Sequence, residues 1–327
     1  MSIQIIGGSG FLGTFLSYQL EENNTDFNIL DSNPRGPFLG RTTNCDITDI
    51  DSLRQNLNSD CLINLAAVHR DDIEPKSLYD EVNVQGAINL CKVATEKSIN
   101  KIIFISSVAV YGNSGDINDE SASIEYFNDY GRTKYEAEKV FTKWYEADEN
   151  RSLIIVRPTV IFGPGNRGNI YNLLNQIYKK RFLMIGDGNN VKSICYVKNV
   201  ASFIIHTLGF KPGLYTFNYI DKPDFTMNEL VLLTKQILNQ RKSILRIPKL
   251  LGFFAGKTID IFSNLLGKSF NISLIRIKKF TSNSQFTTSI DNHTDFKPPY
   301  DLKESLNQTI VYEFLEDNSH KQIFETE

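Results

Sequence analysis

Short apolar runs recur along the first half of the chain, and longer stretches with one apolar face separate them. The runs that indicate strands are Ile3–Ile6, Asn28–Leu30, Cys61–Ala67, Lys101–Ser107 and Ser152–Val156. Several of these runs are apolar almost throughout, which is typical of parallel strands covered on both faces. Amphipathic stretches up to Glu22, over Leu78–Ser98 and over Tyr130–Tyr145 predict helices between them. The alternation predicts an α/β fold with a doubly wound parallel sheet of the Rossmann type.

The strict alternation loosens after residue 157. Residues 157–168 contain two prolines and three glycines, and shorter predicted elements follow them. We therefore expect a first, nucleotide-binding domain over residues 1–157 and a smaller α/β lobe over residues 158–315 that is interleaved with it. Residues 316–327 are expected to be a frayed tail.

A glycine-rich loop directly follows the first predicted strand. Its sequence is Gly7-Gly8-Ser9-Gly10-Phe11-Leu12-Gly13, and a predicted helix begins within it. Glycines in this setting allow a tight turn and a close approach of backbone to a pyrophosphate, which the helix N-terminus attracts. Gly8, Gly10 and Gly13 fit one dinucleotide-binding register, and Gly7, Gly10 and Gly13 fit a second. The alternative is a tight turn that binds no ligand.

Asp31 ends the second predicted strand, 18 residues beyond Gly13 by the numbering of the chain. An acid at this position accepts hydrogen bonds from an adenosine ribose and repels a 2′-phosphate, so it favours NAD over NADP. Arg35 follows closely and would weaken that preference.

Tyr130 and Lys134 are four residues apart in a predicted helix, so their side chains leave from one face. A neighbouring ammonium favours the phenolate and lowers the pKa of a tyrosine from its usual value of about 10, which makes the pair a candidate acid–base. Such pairs also occur by chance in surface helices. Two further candidates, Ser107 and His69, lie where predicted strands end, at the edge where open α/β sheets bind ligands.

Composition excludes several classes of protein. Apolar residues make up 41% of the 327 residues and charged residues 22%, which is ordinary for a globular protein. The net charge of -3 and the absence of basic runs argue against nucleic-acid binding. The four cysteines are scattered without metal-ligand spacing, which predicts reduced thiols in a cytoplasmic protein. We also expect neither a signal peptide nor a membrane span. The amphipathic stretch 249–268 could contact a membrane surface, although burial or packing as a substrate lid is the favoured interpretation.

Taken together, these features resemble the extended short-chain dehydrogenase/reductases, specifically the NAD-dependent epimerase/dehydratase family, over nearly the whole chain. The matching pieces in chain order are Gly7–Gly13, Asp31, Cys45-Asp46-Ile47, Asn64-Leu65-Ala66-Ala67, Asn83-Val84-Gln85-Gly86, Ser106 to Gly112, Tyr130 with Lys134, and Arg157-Pro158. Each piece is weak alone, and eight in the correct order form a specific pattern.

The resemblance implies roles for individual residues. The catalytic group would be Ser107, Tyr130 and Lys134, with Tyr130 as the acid–base. The residues implied to contact NAD are Gly7, Gly10, Phe11, Leu12, Gly13, Asp31, Asp46, Ile47, Leu65, Ala66, Ala67, Asn83, Ser106, Tyr130, Lys134 and Pro158. The residues expected to contact the substrate are His69, Ser107, Val108, Tyr130, Lys192 and Arg276. No metal is expected.

The implied reaction is hydride chemistry on a nucleotide-activated sugar, as in polysaccharide biosynthesis. Dehydratases of the family carry acids after the catalytic serine, where this chain has Val108 and Ala109, so we expect a 4-epimerase that acts through a 4-keto intermediate. The alternatives are a 4-keto reductase, a sterol-type 3-hydroxy dehydrogenase and a non-catalytic NAD-binding regulator.

Two positions depart from the pattern of nucleotide-sugar enzymes in the family. Lys192 replaces the arginine expected to bind the diphosphate, and Val160 replaces an asparagine that contacts the sugar. The resemblance also implies a homodimer through the helices at Leu78–Ser98 and Tyr130–Tyr145.

Overall fold

The computed structural model describes residues 1–70, 73–112, 117–254, 257, 281–317 and 321–324. Seven parallel strands form the central sheet, in the order β11-β6-β5-β4-β1-β2-β3. These strands are β1 (Ile3–Ile6), β2 (Phe27–Asp31), β3 (Thr42–Asn44), β4 (Cys61–Asn64), β5 (Lys101–Ile105), β6 (Ser152–Pro158) and β11 (Leu214–Tyr219). The strand order reverses beside β1, which is the topological switch point where such sheets bind ligands. The predicted doubly wound parallel sheet is confirmed.

Helices cover both faces of the sheet. The named α-helices of this sheet and of the second lobe are α1 (Phe11–Glu22), α2 (Ile50–Asn56), α3 (Gly86–Glu96), α4 (Asp129–Glu146), α5 (Asn169–Tyr178), α6 (Val197–Thr207), α7 (Met227–Ile237), α8 (Ile290–His293) and α9 (Leu302–Ile310). Residues 249–254 are helical as well. One apolar core lies between the sheet and α1 with α6, and a second lies between the sheet and α2, α3 and α4. The stretch predicted as one helix over Leu78–Ser98 consists of a wider π-helical segment, Tyr79–Gln85, that runs into α3.

The remaining strands are short and build the second lobe. They are β7 (Val160–Phe162), β8 (Met184–Ile185), β9 (Val191–Lys192), β10 (Ile194–Tyr196), β12 (Phe225–Thr226) and β13 (Arg246–Ile247). They pair as β10 with β7, β12 with β9 and β13 with β8. A third apolar core joins this lobe to α5, α7 and α9.

The two halves of the chain share the main sheet. β11 pairs in parallel with β6 from Leu214 opposite Leu153 to Tyr219 opposite Pro158. The edge strand of the nucleotide half therefore comes from the second half of the chain.

Within the part of the chain that the structure describes, no helix combines the length and the apolar content needed to cross a bilayer.

Candidate active site

The glycine loop connects β1 to α1 at the switch point of the sheet. Gly7 has a φ of +75°, and a Cβ atom there would lie 2.7 Å from the backbone of Ala66 at the end of β4. A Cβ atom on Gly13 would lie 2.3 Å from the carbonyl oxygen of Gly8, so the helix start can pack on the loop only without a side chain. Gly10 is the N-cap of α1 and has open space at its Cβ position apart from the carbonyl of Gly7 at 3.7 Å. Gly10 and Gly13 belong to both registers. Gly7 requires glycine for its φ and for the close approach of the Ala66 backbone, and a Cβ atom on Gly8 would lie 2.9 Å from the Ile29 side chain, so both positions have little room for a side chain.

Asp31 holds the loop from the end of β2. One oxygen of its carboxylate accepts a hydrogen bond from the Ser9 backbone N–H at 2.9 Å, and the other accepts one from the Asn33 N–H at 2.9 Å. Asp31 is therefore beside the glycine loop, where a carboxylate can meet the ribose of a dinucleotide. The backbone N–H of Arg35 lies 3.5 Å from the Ser9 hydroxyl, so this arginine also belongs to the loop.

The loops after β3 and β4 form the other wall of the crevice. Ile47 is buried against Gly86, and Asn89 donates hydrogen bonds to the Ile47 and Thr48 carbonyls at 3.2 and 2.9 Å. Asp46 is exposed and accepts hydrogen bonds from Thr48. The side chain of Asn89 on α3 thus fixes the loop that precedes α2.

Asn83 fastens the strand-end loop that contains Leu65, Ala66 and Ala67. Its side chain donates to the Val68 carbonyl at 2.9 Å and accepts from the Val68 N–H at 2.8 Å. It also donates to the Thr133 hydroxyl on α4 at 2.9 Å. This geometry agrees with the supporting role expected for Asn83, because one buried amide joins the β4 loop to the helix that carries Tyr130.

The residues along this crevice fit a dinucleotide. A bare glycine N-cap leaves the first N–H groups of α1 directed at the crevice, and the loop allows backbone to approach a pyrophosphate. The carboxylate of Asp31 lies on the ribose side of the same loop. Gly7, Gly10, Phe11, Leu12 and Gly13 would hold the pyrophosphate end of NAD.

The start of α4 packs directly on the turn that Ser107 begins. Asn128 caps α4 by accepting a hydrogen bond from the Gly131 N–H at 2.9 Å. A Cβ atom on Gly131 would lie 2.4 Å from the Ala109 carbonyl oxygen. The Ser107 hydroxyl accepts from the Ala109 N–H at 3.1 Å. The contact between Gly131 and Ala109 therefore brings the half-buried Tyr130 to the turn that contains Ser107.

Lys134 lies one helical turn after Tyr130 and is 2% exposed. Its Nζ atom lies 4.2 Å from the centroid of the Phe104 ring on β5. Burial lowers the pKa of Lys134 from 10.5 to about 7, while the Glu138 carboxylate acts in the opposite direction. A pKa near neutrality in a crevice is typical of residues that take part in proton transfer.

A buried ion pair lies beside the candidate catalytic residues, on the same helix as Lys134. Arg157 donates two hydrogen bonds to Glu138, one from Nε at 2.9 Å and one from Nη2 at 2.6 Å. The Ser106 hydroxyl donates to the same carboxylate at 2.5 Å, and Arg157 Nη1 donates to the Tyr111 hydroxyl at 2.6 Å. The network joins the ends of β5 and β6 to α4 on both sides of Ser107.

Sequence reasoning did not find Glu138, although a signal was present. Tyr130, Lys134 and Glu138 are spaced four residues apart, so an acid continues the face of α4 that carries the candidate acid–base. Sequence reasoning placed Ser106 among the residues that contact NAD, whereas in the structure its hydroxyl bonds to Glu138. Pro158 ends β6 and is buried opposite Tyr219.

The expected substrate residues are not all in one environment. His69 is exposed on the loop after β4, and Val108 is half-buried in the turn after Ser107. Lys192 lies on β9 opposite Phe225, and burial lowers its pKa to about 8. Arg276 lies outside the described residues. Val160, the departure at the sugar position, is 42% exposed at the start of β7.

Residues 321–324 pack on the rest of the protein, so for these four residues the expected fraying is wrong. Phe324 exchanges backbone hydrogen bonds with Gly165 and Arg167 at 2.8 and 3.1 Å. Its ring centroid lies 5.3 Å from that of Phe11, the first residue of α1. Residues 321–324 are thus held against the helix that follows the glycine loop, because an aromatic side chain finds an apolar surface there.

Comparison with known proteins gives consistent results. Residues 3–215 match the sequence model of the NAD dependent epimerase/dehydratase family. The N-acetyl-alpha-D-glucosaminyl-diphospho-ditrans,octacis-undecaprenol 4-epimerase of Escherichia coli O157:H7 is 43% identical over 319 residues, which cover 96% of each chain.

Solved structures show the same fold. The UDP-glucose 4-epimerase of Thermotoga maritima with UDP-glucose has a TM-score of 0.74 at 18% identity, over 95% of this chain and 98% of that one. The UDP-glucose 4-epimerase of Thermus thermophilus in complex with NAD has a TM-score of 0.68 at 16% identity, with the same coverage.

Proposed function

This chain belongs to the NAD-dependent epimerase/dehydratase family, and we propose that it inverts C4 of an N-acetylhexosamine carried on a polyprenyl diphosphate. The observation that carries the proposal is the likeness to the E. coli 4-epimerase, whose name gives such a substrate, along the whole length of both chains. The departure at Val160 supports it, since the resemblance implies that nucleotide-sugar enzymes of the family contact the sugar at that position. Lys192 keeps the basic side chain that either diphosphate requires. A nucleotide-activated sugar is the second candidate, because structures of the same fold hold UDP-glucose.

The side chains of the site supply the proton chemistry of this reaction. Tyr130 would take the proton from the 4-hydroxyl, and Ser107 would donate a hydrogen bond to the oxygen as it becomes a carbonyl. NAD, when bound, supplies the site that accepts the C4 hydride and returns it to the opposite face of the sugar. Tyr130 would then give the proton back to the 4-keto oxygen, and because the hydride also returns to C4, no net oxidation occurs.

Lys134 would keep Tyr130 ready for both proton transfers. A charged ammonium one turn away favours the phenolate, whereas burial opposes that charge and Glu138 sustains it. The balance of these two effects places the pKa of Lys134 near neutrality. Lys134 can therefore respond to the charge that develops on Tyr130 during the reaction.

The test is turnover of a defined lipid-linked sugar. Purified enzyme is incubated in detergent with N-acetylglucosaminyl-diphospho-undecaprenol, and the sugar released by mild acid is identified by chromatography. We expect N-acetylgalactosamine to form without consumption of added NADH, whereas stoichiometric NADH oxidation would indicate a keto reductase. Conversion of UDP-N-acetylglucosamine but not of the lipid-linked sugar would refute the polyprenyl carrier and support a nucleotide carrier.

The Tyr130→Phe variant tests the acid–base assignment. It should lose at least about a hundredfold in kcat, the lower end of what general acid–base catalysis contributes, and it should retain NAD. Tyr135→Phe on the same helix is the matched control, because it removes the same hydroxyl five residues away. Full activity of Tyr130→Phe would refute the assignment.

We also propose a homodimer through the outer faces of α3 and α4, as the family resemblance implies. Ile88 on α3 is 41% exposed, which supports an apolar contact there. Light scattering after gel filtration should give twice the mass of the chain, and Ile88→Asp should reduce it to one chain. A cytoplasmic location is supported by the four cysteines, which are all buried and free.

A further inference from the structure

Large apolar side chains are exposed together between β13 and residue 254. Leu245 is 72% exposed, Leu250 71%, Leu251 60% and Phe254 68%. We refer to these four residues as the Leu250 face. Sequence reasoning favoured burial or packing as a substrate lid for this stretch, and for Leu251 and Phe254 the expected burial is wrong. Its other two apolar positions, Phe262 and Leu265, lie outside the described residues.

The Leu250 face is anchored to the second lobe. β13 pairs in parallel with β8, with Arg246 opposite Met184 and Ile247 opposite Ile185. Residues 249–254 are helical, and Gly252 is buried so closely that a Cβ atom there would lie 2.6 Å from Ile185. Leu250 and Phe254 leave the helix on the side opposite Gly252, and Leu251 leaves it on the adjoining flank. Their exposure therefore follows from the way this helix packs.

The charge around the Leu250 face differs in sign from the rest of the protein. Residues 230–257 contain six Lys and Arg and no Asp or Glu, in a chain whose net charge is -3. Arg241, Lys242, Lys249 and Lys257 are exposed in this segment. Asp187 is the acid next to Lys249, and Arg246 donates to its carbonyl oxygen. Apolar side chains surrounded by basic ones are suited to bind a surface that is itself both apolar and anionic.

The position of the face suits a substrate whose carrier lies in a bilayer. β8, on which the face is anchored, is followed by the turn 186–190 and then by β9, which carries Lys192. Lys192 is the residue expected at the diphosphate. Ile185, on which Gly252 of the helix 249–254 packs, would thus be seven residues from the diphosphate contact in the chain.

We propose that the Leu250 face docks the enzyme on the surface of an anionic phospholipid bilayer. The role of this docking surface rests on the proposed function, because a polyprenyl-diphosphate sugar is held in the membrane by its lipid. Leu250, Leu251 and Phe254 insert among the acyl chains, and the surrounding lysines and arginines meet the lipid phosphates.

The test is partition of the full-length protein onto vesicles of phosphatidylcholine, with and without phosphatidylglycerol. Wild-type protein should co-sediment with the anionic vesicles, and less with the neutral ones or at high salt. The variant Leu250→Ser/Leu251→Ser/Phe254→Ser should lose at least tenfold in partition coefficient. The matched control is Leu39→Ser/Ile117→Ser/Leu315→Ser, which removes three side chains that are 55–58% exposed elsewhere and should bind like wild type.

A second variant, which changes only charged residues, distinguishes a loss of membrane binding from misfolding of the apolar variant. Lys242→Glu/Lys249→Glu leaves the apolar residues intact and should reduce binding to anionic vesicles while neutral vesicles are unaffected. Equal binding of all variants, or failure of the wild type to bind, overturns the inference. A wild type that self-associates through this face instead of binding vesicles overturns it as well.

Activity separates this inference from the proposed function. The apolar variant should epimerise the lipid-linked sugar at the wild-type rate in detergent and at a much lower rate when the sugar is embedded in vesicles. Vesicle binding without turnover of the lipid-linked sugar in detergent would leave the docking surface in place and refute the proposed substrate. Turnover in detergent without vesicle binding would refute the docking surface alone.

Discussion

Replacing Glu138 by Gln should destabilise the protein more than any substitution of a surface charge. The carboxylate and the Arg157 guanidinium form a bidentate pair, and the two side chains are 4% and 8% exposed. Removing one partner of a buried pair leaves the other charge without compensation, which costs about 3–5 kcal/mol. Gln keeps the shape and one acceptor oxygen, so we expect about 3 kcal/mol, the lower end of that range.

Urea unfolding of protein saturated with NAD measures this loss. Trp144, the one tryptophan of the chain, is buried on α4, the helix that carries Glu138. Its fluorescence and the far-UV circular dichroism should report the same transition if unfolding is two-state. The matched control is Arg132→Gln, which breaks an equally short bidentate pair with Asp80 that is 31% and 52% exposed. That variant should lose less than about 1 kcal/mol.

A double variant separates the uncompensated charge from general damage to the core. Glu138→Leu/Arg157→Met removes both charges and keeps most of the volume, and such replacements are often neutral or stabilising. It should recover at least half of the loss seen in Glu138→Gln. A loss below about 1 kcal/mol in Glu138→Gln, or a double variant less stable than the single one, would refute the reasoning.

Three further predictions concern the site itself. Gly131→Ala would place a Cβ atom 2.4 Å from the Ala109 carbonyl oxygen, so Tyr130 must shift. We expect kcat to fall about a hundredfold while NAD binding stays intact. An unchanged kcat would contradict the packing argument. Asp31→Ser should increase the affinity for NADP about fivefold, because it removes ~1 kcal/mol of charge repulsion in water. Calorimetry measures this change, and the affinity for NAD should show no such gain. Burial lowers the pKa of Lys134 from 10.5 to about 7, so the folded state binds fewer protons than the unfolded state between these values. The urea midpoint of cofactor-free protein should therefore rise with pH across that window, and Lys134→Met should remove this component.

Local patterns predicted the parts of the fold that depend on neighbouring residues. The glycine loop and the buried strands each follow from a few consecutive residues. The structure caps α2 with Asp49 and α7 with Thr226, which are residue types preferred at a helix start. Steric limits at Gly7 and hydrogen bonding at a helix start do not require knowledge of the rest of the chain.

Features that depend on distant residues were missed. The spacing of Glu138 from Tyr130 and Lys134 indicates its helix face, but its contacts with Arg157 and Ser106 depend on the way α4 packs across the ends of β5 and β6. The tail was expected to fray, yet residues 321–324 are held by the Phe324 ring on Phe11 and by backbone hydrogen bonds with Gly165 and Arg167, which are distant in the sequence. The pairing of β11 with β6 was missed for the same reason.

This pairing has a consequence for the synthesis of the protein. β6 is complete at Pro158, whereas β11 begins at Leu214, so residues 159–213 must be translated before the sheet can close. At about 5–20 residues per second, that interval lasts on the order of 3–11 s. During it, the strand that carries Arg157 presents an unpaired, apolar edge, which is a template for aggregation. We therefore expect the yield of folded protein to depend on how quickly the ribosome passes this segment, and slow codons between β6 and β11 should increase the insoluble fraction.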